Sequence, residues 1–324
     1  MTEQKNEVLQ KRDSDWLAVL WYIHLHALGA YGLWLIFVEA QWLTTIFTLF
    51  LIILSSLGVT VGAHRLWAHE TFTASFPVRF FLVMAHTLAG VGPIYDWVLY
   101  HRIHHKYYKT DKDPYNHKKG LWYSHVIANL LALPPNHEEL EKSIDMRVVE
   151  SDGLVWVQRK FYWILFIIFG LLLPVNTPAE YWGESLKTSI FILCFFRLAV
   201  TCNIAWLINS AMLVWGLEPG AKFPVDDNSV FFLNKSYWIN YHYLLPWDVN
   251  SGEFGTYDSG FGSLIIKLWN ELGLINRLKS PTTENIRETL HKLATAKTDV
   301  DEVLSELKET VETQAKMIDL QYKH

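Results

Sequence analysis

Four apolar stretches, each close to the length needed to cross a bilayer, constrain this chain more than any other feature. About 30 Å of hydrocarbon takes roughly 20 helical residues, and the segments near 16–38, 43–63, 161–182 and 189–214 meet or approach that length. Only Glu39-Ala40-Gln41-Trp42 separates the first two, so they are expected to form a tight antiparallel hairpin. A further apolar run, Phe80 to Gly92, is short for a span and is expected to be a buried or re-entrant helix packed against protein. Composition agrees: 51% hydrophobic and 15% aromatic residues are high for a soluble chain of 324 residues.

Basic residues orient the spans. Twelve Lys and Arg fall between 64 and 160 and eleven from 215 onward, whereas the two short hairpin loops carry only Lys187. By the positive-inside rule both termini and the middle segment are expected to be cytosolic. Trp16, Trp42, Tyr162 and Trp182 stand near span ends, where amphipathic rings favour the interface. The first fifteen residues are polar and lack the apolar core of a signal peptide. Net charge is only −5 and the basic residues form no stripe, so nucleic acid is not expected as a partner. Cys194 and Cys202 lie in an apolar run and read as small buried hydrophobes. Arg197, His24 and His26 lie inside spans, where pairing within the bundle is commoner than catalysis.

Histidine placement carries the chemistry. Six of the fourteen histidines fall in three places: His64 and His69 just after the second span, His101, His104 and His105 after the short apolar run, and His242 in the C-terminal third. Neutral imidazole is a common ligand for first-row metals, and several rings from different helices can bind iron without sulfur. On a helix the rings of residues 101, 104 and 105 share an arc of about 100°. His64 and His69 stand about 140° apart on an ideal helix, so they can share an ion only if the helix ends or the ion sits between them. The single histidines His86, His117, His125, His137, His291 and His324 are expected to be satisfied by hydrogen bonds and to bind nothing.

The His64-to-His69 box preceded by Gly62-Ala63, the His101-to-His105 box after Tyr95-Asp96-Trp97, and Asn240-Tyr241-His242 with Pro246-Trp247-Asp248 resemble the membrane fatty acyl-CoA desaturases, especially Δ9 forms. Asp113-Pro114, Ser124-His125, Tyr181-Trp182-Gly183-Glu184 and Asn209-Ser210-Ala211 follow in the same order, and the resemblance runs from about residue 16 to 280. It implies an all-α fold of four transmembrane helices under a cytosolic helical cap that carries a histidine-ligated di-iron centre. It also implies the endoplasmic reticulum membrane, an acyl-CoA substrate, and electrons from cytochrome b5 used with oxygen to remove two hydrogens. Carried over by position, one iron would take His64, His69, His101, His105 and His242. The other would take His104 and three further histidines, with Asn209 holding a water. Trp97 is the candidate substrate-binding residue.

This chain departs from that pattern where the second metal would sit. Leu213, Ile239 and Tyr243 occupy the three further histidine positions, so only His104 and Asn209 remain of that site. Leucine and isoleucine cannot coordinate, and tyrosine could do so only as a phenolate. One iron rather than two, or none, is expected. Leu99-Tyr100 replaces an Arg-Asp pair near the substrate headgroup, forfeiting bidentate phosphate contacts, and Glu70 stands where the family usually has a basic residue.

Three domains of behaviour are therefore expected: a polar tail over 1–15, a desaturase-like domain over 16–280, and an amphipathic helical tail over 281–324. In the tail Ile286, Leu290, Leu293, Val300, Leu304, Leu307 and Val311 recur at helical spacing, which suits packing on the same domain or a protein partner. The favoured expectation is a catalytically impaired homologue, a pseudoenzyme of unsaturated fatty acid metabolism that binds a lipid or a partner. An active Δ9-type desaturase and a mononuclear lipid oxygenase or hydroxylase are the alternatives.

Overall fold

The computed structural model describes residues 12–108, 110–134, 137–214, 242–254, 257–295 and 299–321. In hydrocarbon every backbone polar group must be paired within the chain, so helices dominate. The first span is α1 (Trp16–Val38), whose N-cap Asp15 accepts from the amides of Leu17 and Ala18. The second is α2 (Trp42–Leu57), which runs on as a π-helical segment over Gly58–Ala68. Together they make a continuous span, Trp42–Ala68, of 27 residues.

The chain then turns into α3 (Phe76–Ala89) and α4 (Ile94–Lys106), which meet at 84°. Gly90, at φ 72°, ends α3 in the left-handed conformation that a side chain would disfavour. Buried donors at this bend are satisfied from the third span: Gly92 N–H donates to the Tyr162 hydroxyl at 2.9 Å and Ile94 N–H to Gln158 Oε1 at 3.0 Å. A non-helical bend among the spans is tolerated when protein pairs its backbone in this way. The expected protein-packed helix is thus the first arm of a bent pair.

Short helices α5 (Leu121–His125), α6 (His137–Lys142) and α7 (Arg147–Glu150) build part of the cap. The third span runs over α8 (Gly153–Leu165), a π-helical stretch and α9 (Leu173–Trp182). It begins earlier than the apolar run suggests, and Phe161, with φ −110° and ψ 18°, kinks it where that run starts. The fourth comprises α10 (Leu186–Ser189), a π-helical stretch over Ile190–Phe196 and α11 (Arg197–Val214).

Close helix contacts explain the small residues. A Cβ at Gly32 would overlap the Phe191 carbonyl, and one at Gly58 would overlap the backbone of Ala85 and His86. Arg197 is fully buried and donates to the carbonyls of Leu193 (2.7 Å), Leu88 (2.6 Å) and Gly170. It ties α3 to the third and fourth spans, a structural use of the intramembrane charge. His26 Nε2 lies 2.8 Å from Asn203 Nδ2 on the fourth span, while His24 Nδ1 faces the Leu20 carbonyl of its own helix. Cys194 and Cys202 are free thiols.

After His242, α12 (Phe261–Glu271) leads to a two-residue strand, Ile275–Asn276, paired antiparallel with Thr73–Ala74. Two last helices, α13 (Thr283–Thr295) and α14 (Val300–Gln321), pack on one another. Ile286, Leu307 and Val311 of their stripe cluster with Leu245 and Trp247. The tail stripe thus packs on the segment that follows His242.

Candidate metal centre

A switch of helix type, which sequence spacing does not reveal, creates the site. The His69 amide donates to the His64 carbonyl at 3.0 Å, an i→i−5 bond that belongs to the π-helical turn. That register stacks positions five apart, so the 140° separation of an ideal α-helix does not apply. His64 and His69 point together, their ring centroids 4.6 Å apart. From α4, His101 brings its Nε2 to 2.9 Å from His69 Nε2, which is itself 3.1 Å from His64 Nε2. Two ligands about 2.1 Å from one ion at a right angle would be about 3 Å apart, so these separations fit a coordination sphere.

One ligand atom from each of His64, His69, His101 and His242 lies within 4.8 Å of all the others, and all four residues are buried. His105 does not join that group but flanks it, its ring 4.5 Å from His69, 4.6 Å from His101 and 5.1 Å from His242. Outer contacts fix the inward-facing nitrogens. Carboxylate oxygens only accept, so His64 Nδ1, 3.2 Å from Glu253 Oε1, carries the proton and leaves its Nε2 lone pair free. His101 Nδ1 likewise donates to Asn209 Oδ1 at 2.8 Å, and His242 Nδ1 faces Ser251 Oγ at 3.3 Å. Asn209 therefore touches the first cluster by hydrogen bond.

Charge compensation beneath the site is equally specific. Arg65 is buried and donates from Nε to Glu253 Oε1 at 2.5 Å and from Nη2 to Oε2 at 3.0 Å, with Nη1 on Ser263 Oγ at 3.1 Å. Burial alone would raise the Glu253 pKa, but Arg65 and His64 outweigh it and hold the carboxyl well below its usual range. Sequence reasoning missed Glu253 and Ser251. The available signal was Arg65 itself, a guanidinium just after the second apolar stretch that requires a partner.

Burial, and then mutual repulsion between neighbouring rings, holds the imidazoles of His69, His101, His105 and His242 well below their ordinary value. They keep free lone pairs at neutral pH. The unfolded chain takes up protons near pH 6.5 that the folded chain refuses, so stability is lost as pH falls through that region. The metal-free protein is therefore expected to melt progressively earlier from about pH 7 to about pH 5. An unchanged melting temperature across that interval would contradict the buried, neutral cluster.

His104 is excluded from the cluster by its own partners. Its Nδ1 donates to Asp113 Oδ1 at 2.8 Å, which leaves Nε2 as the acceptor, and the Tyr243 hydroxyl fills that position at 2.6 Å. Tyr243 stacks on Tyr108 with centroids 3.6 Å apart and planes at 6°. Burial, followed by Tyr108 and Asp113, raises the phenol pKa well above its ordinary value, so it stands as a neutral donor. Ile239 lies outside the described residues, and so does the side chain of Leu213. Trp97 stacks on His101 at 5.0 Å and meets His64 edge-on at 6.3 Å, which puts an apolar wall beside the cluster.

No family model matches the chain. It is 36% identical over 285 residues to an acyl-CoA Δ9 desaturase of Acheta domesticus, covering 87% of this chain and 79% of that one. Identity to an acyl-CoA Δ12 desaturase of Tribolium castaneum is 35% over 275 residues, covering 84% and 77%. Human stearoyl-CoA desaturase is 33% identical over 262 residues, covering 80% and 72%. The chain belongs to the acyl-CoA desaturase family.

Other residues singled out in this desaturase homologue have structural partners. Glu70 pairs with Arg102 at 2.9 Å, and Arg102 also donates to the carbonyls of Ala68 and Trp67. Its charge is thus neutralised while it links the first two histidine boxes. Leu99 is buried in the main core and the Tyr100 hydroxyl faces Glu141 at 3.5 Å. His125 meets Ser210 and Asn203, and His137 faces the Pro134 carbonyl. His117 bonds the Asn209 carbonyl at 2.6 Å, and burial first, then His104, lowers its pKa to about 4. His86 departs from expectation: it is fully buried beneath Gly58, and neither ring nitrogen finds a partner among the described residues. His324 lies outside them.

Proposed function

We propose that this chain is a multi-pass membrane desaturase homologue that holds one metal ion between His64, His69, His101, His105 and His242 and does not desaturate acyl chains. The observation that carries this reading is the Tyr243–His104–Asp113 chain of hydrogen bonds. It engages both nitrogens of His104, the one histidine that this chain keeps at the family's second-metal positions. Iron is the metal expected from the family, and bound there it would supply a redox-active Lewis acid. Removal of hydrogen from an unactivated carbon needs two irons in the family pattern, and the second position is closed here by a neutral phenol.

The chain's own residues do the positioning. Glu253, Asn209 and Ser251 turn Nε2 of His64, His101 and His242 inward, and Trp97 presents an indole face where an apolar chain would approach. Its partners in this reading are the bilayer and an acyl-CoA or other lipid, with cytochrome b5 required only if desaturation occurs. The basic residues on both sides of the hairpin loops support cytosolic termini, and the family supports the endoplasmic reticulum membrane.

The names of the relatives favour a second reading, an active desaturase. Those of similar identity are named for Δ9, Δ11 and Δ12 positions, so they do not select a bond. Expression in a desaturase-deficient cell separates the two. No unsaturated product is expected from the native chain, and rescue of growth would overturn the proposal. Substituting Leu213→His, Ile239→His and Tyr243→His together is expected to raise metal content from one ion per chain to two. Unaltered metal content in that variant would refute the assignment of these three positions.

A further inference from the structure

Helix α12 has two contrasting faces. Phe261, Leu264 and Leu268, followed by Leu272 at the C-cap, are between 50% and 61% exposed and lie at i, i+3, i+7 and i+11, a single apolar stripe. On the opposite face Ser263 and Ile266 are buried. Ser263 Oγ meets Arg65 Nη1, and a Cβ at Gly262 would stand 3.3 Å from Val61 Cγ2. The depth of the helix follows from that last contact. Twenty residues at 1.5 Å span about 30 Å of hydrocarbon. Counted from Trp42, that distance ends near Val61, so α12 lies beside the second span where hydrocarbon gives way to headgroups.

The stripe is also continuous with other exposed apolar surface. Trp269 of α12 meets Phe81 of α3 edge-on at 5.9 Å, and the exposed rings of Phe76 and Phe80 follow along α3. The strand pairing Thr73↔Asn276 and Ala74↔Ile275 fastens these two helices together. Lys267, paired with Asp258 at 2.7 Å, and Glu271 make the polar border, and exposed Asn270 lies on the side away from the stripe.

We propose that α12 is an in-plane membrane helix: its leucine stripe sits among lipid acyl chains at the membrane boundary, while its inner face braces Arg65 beneath the histidine cluster. The occupant of the stripe is the bilayer, because the helix stands at hydrocarbon-boundary depth and an interfacial helix has this split between apolar and polar faces. Lipid contact and metal-site support therefore share one helix. This inference stands whether the cluster holds one ion or two.

Spin labels test it in the full chain reconstituted in phosphatidylcholine nanodiscs, with Cys194 and Cys202 replaced by alanine. Labels are placed in turn at Leu264→Cys, Leu268→Cys and, on the exposed side away from the stripe, Asn270→Cys. The ratio of collision rates with oxygen to those with a water-soluble nickel chelate is expected to be several-fold higher at 264 and 268 than at 270. Equal ratios at the three positions would place the stripe in water and overturn the proposal. Protection of 264 and 268 from both reagents would overturn it too, because a protein surface or a second copy would then cover the stripe. Retained metal content in each variant shows that the labelled protein keeps its fold.

Discussion

Replacing Arg65 with methionine is expected to destabilise the protein by about 3–5 kcal/mol, because it leaves the Glu253 carboxylate buried without its counter-charge. The guanidinium makes two contacts with that carboxylate and one with Ser263, all below the surface. Thermal unfolding in detergent, compared with the native chain, measures the loss. The double substitution Arg65→Met with Glu253→Leu is expected to recover much of it, since removing both charges removes the uncompensated one. Metal retention separates the two effects: Glu253 also turns His64, so the double variant is expected to stay folded while binding metal 10–100-fold more weakly. A loss below about 1 kcal/mol for Arg65→Met would show that the pair is solvated, contrary to its burial.

The second large effect lies in the histidines themselves. His69 Nε2 lies 3.1 Å from His64 Nε2 and 2.9 Å from His101 Nε2, so His69→Ala removes the centre of the group. Metal content is expected to fall to background in that variant. His104→Ala is expected to leave it unchanged, although His104 stands in the same box as His101 and His105. Its nitrogens are spent on Asp113 and Tyr243. Elemental analysis of the two purified variants side by side checks both outcomes. Equal losses would mean that His104 belongs to the bound ion, and the separation drawn between the two sites would fail.

Much of this was legible in the sequence. Span lengths, the tight hairpin at 39–42 and the short apolar helix follow from hydrocarbon thickness, and four helices of spanning length appear among the described residues. The histidine boxes pointed to a cluster able to hold a metal, and His64, His69, His101 and His242 lie together. What sequence periodicity could not supply was the π-helical register over Gly58–Ala68. A 3.6-residue period sends His64 and His69 apart, and only the five-residue bond unites them. The Arg65–Glu253 brace was hidden for another reason: its partners are 188 residues apart, and no local pattern encodes a long-range ion pair. Tyr243 was visible as a substitution, but its bond to His104 depends on the Tyr108 stack and on Asp113 fixing the tautomer.

The helical tail shows a similar limit. Its apolar stripe fitted either a partner or the chain's own domain, and packing of Ile286, Leu307 and Val311 on Leu245 and Trp247 uses that stripe internally. Those two residues follow His242 and Tyr243 by a few positions, so the tail buttresses the segment that carries both. The histidine boxes alone gave no hint of this dependence.

Counting iron and other transition metals per chain in the native protein, purified in detergent after expression with iron supplied, tests the single-ion site most directly. One ion per chain is expected, lost on substitution of His69 and kept on substitution of His104. Two ions per chain in the native protein would contradict it, because His104 would then have to release Tyr243 and serve a second metal.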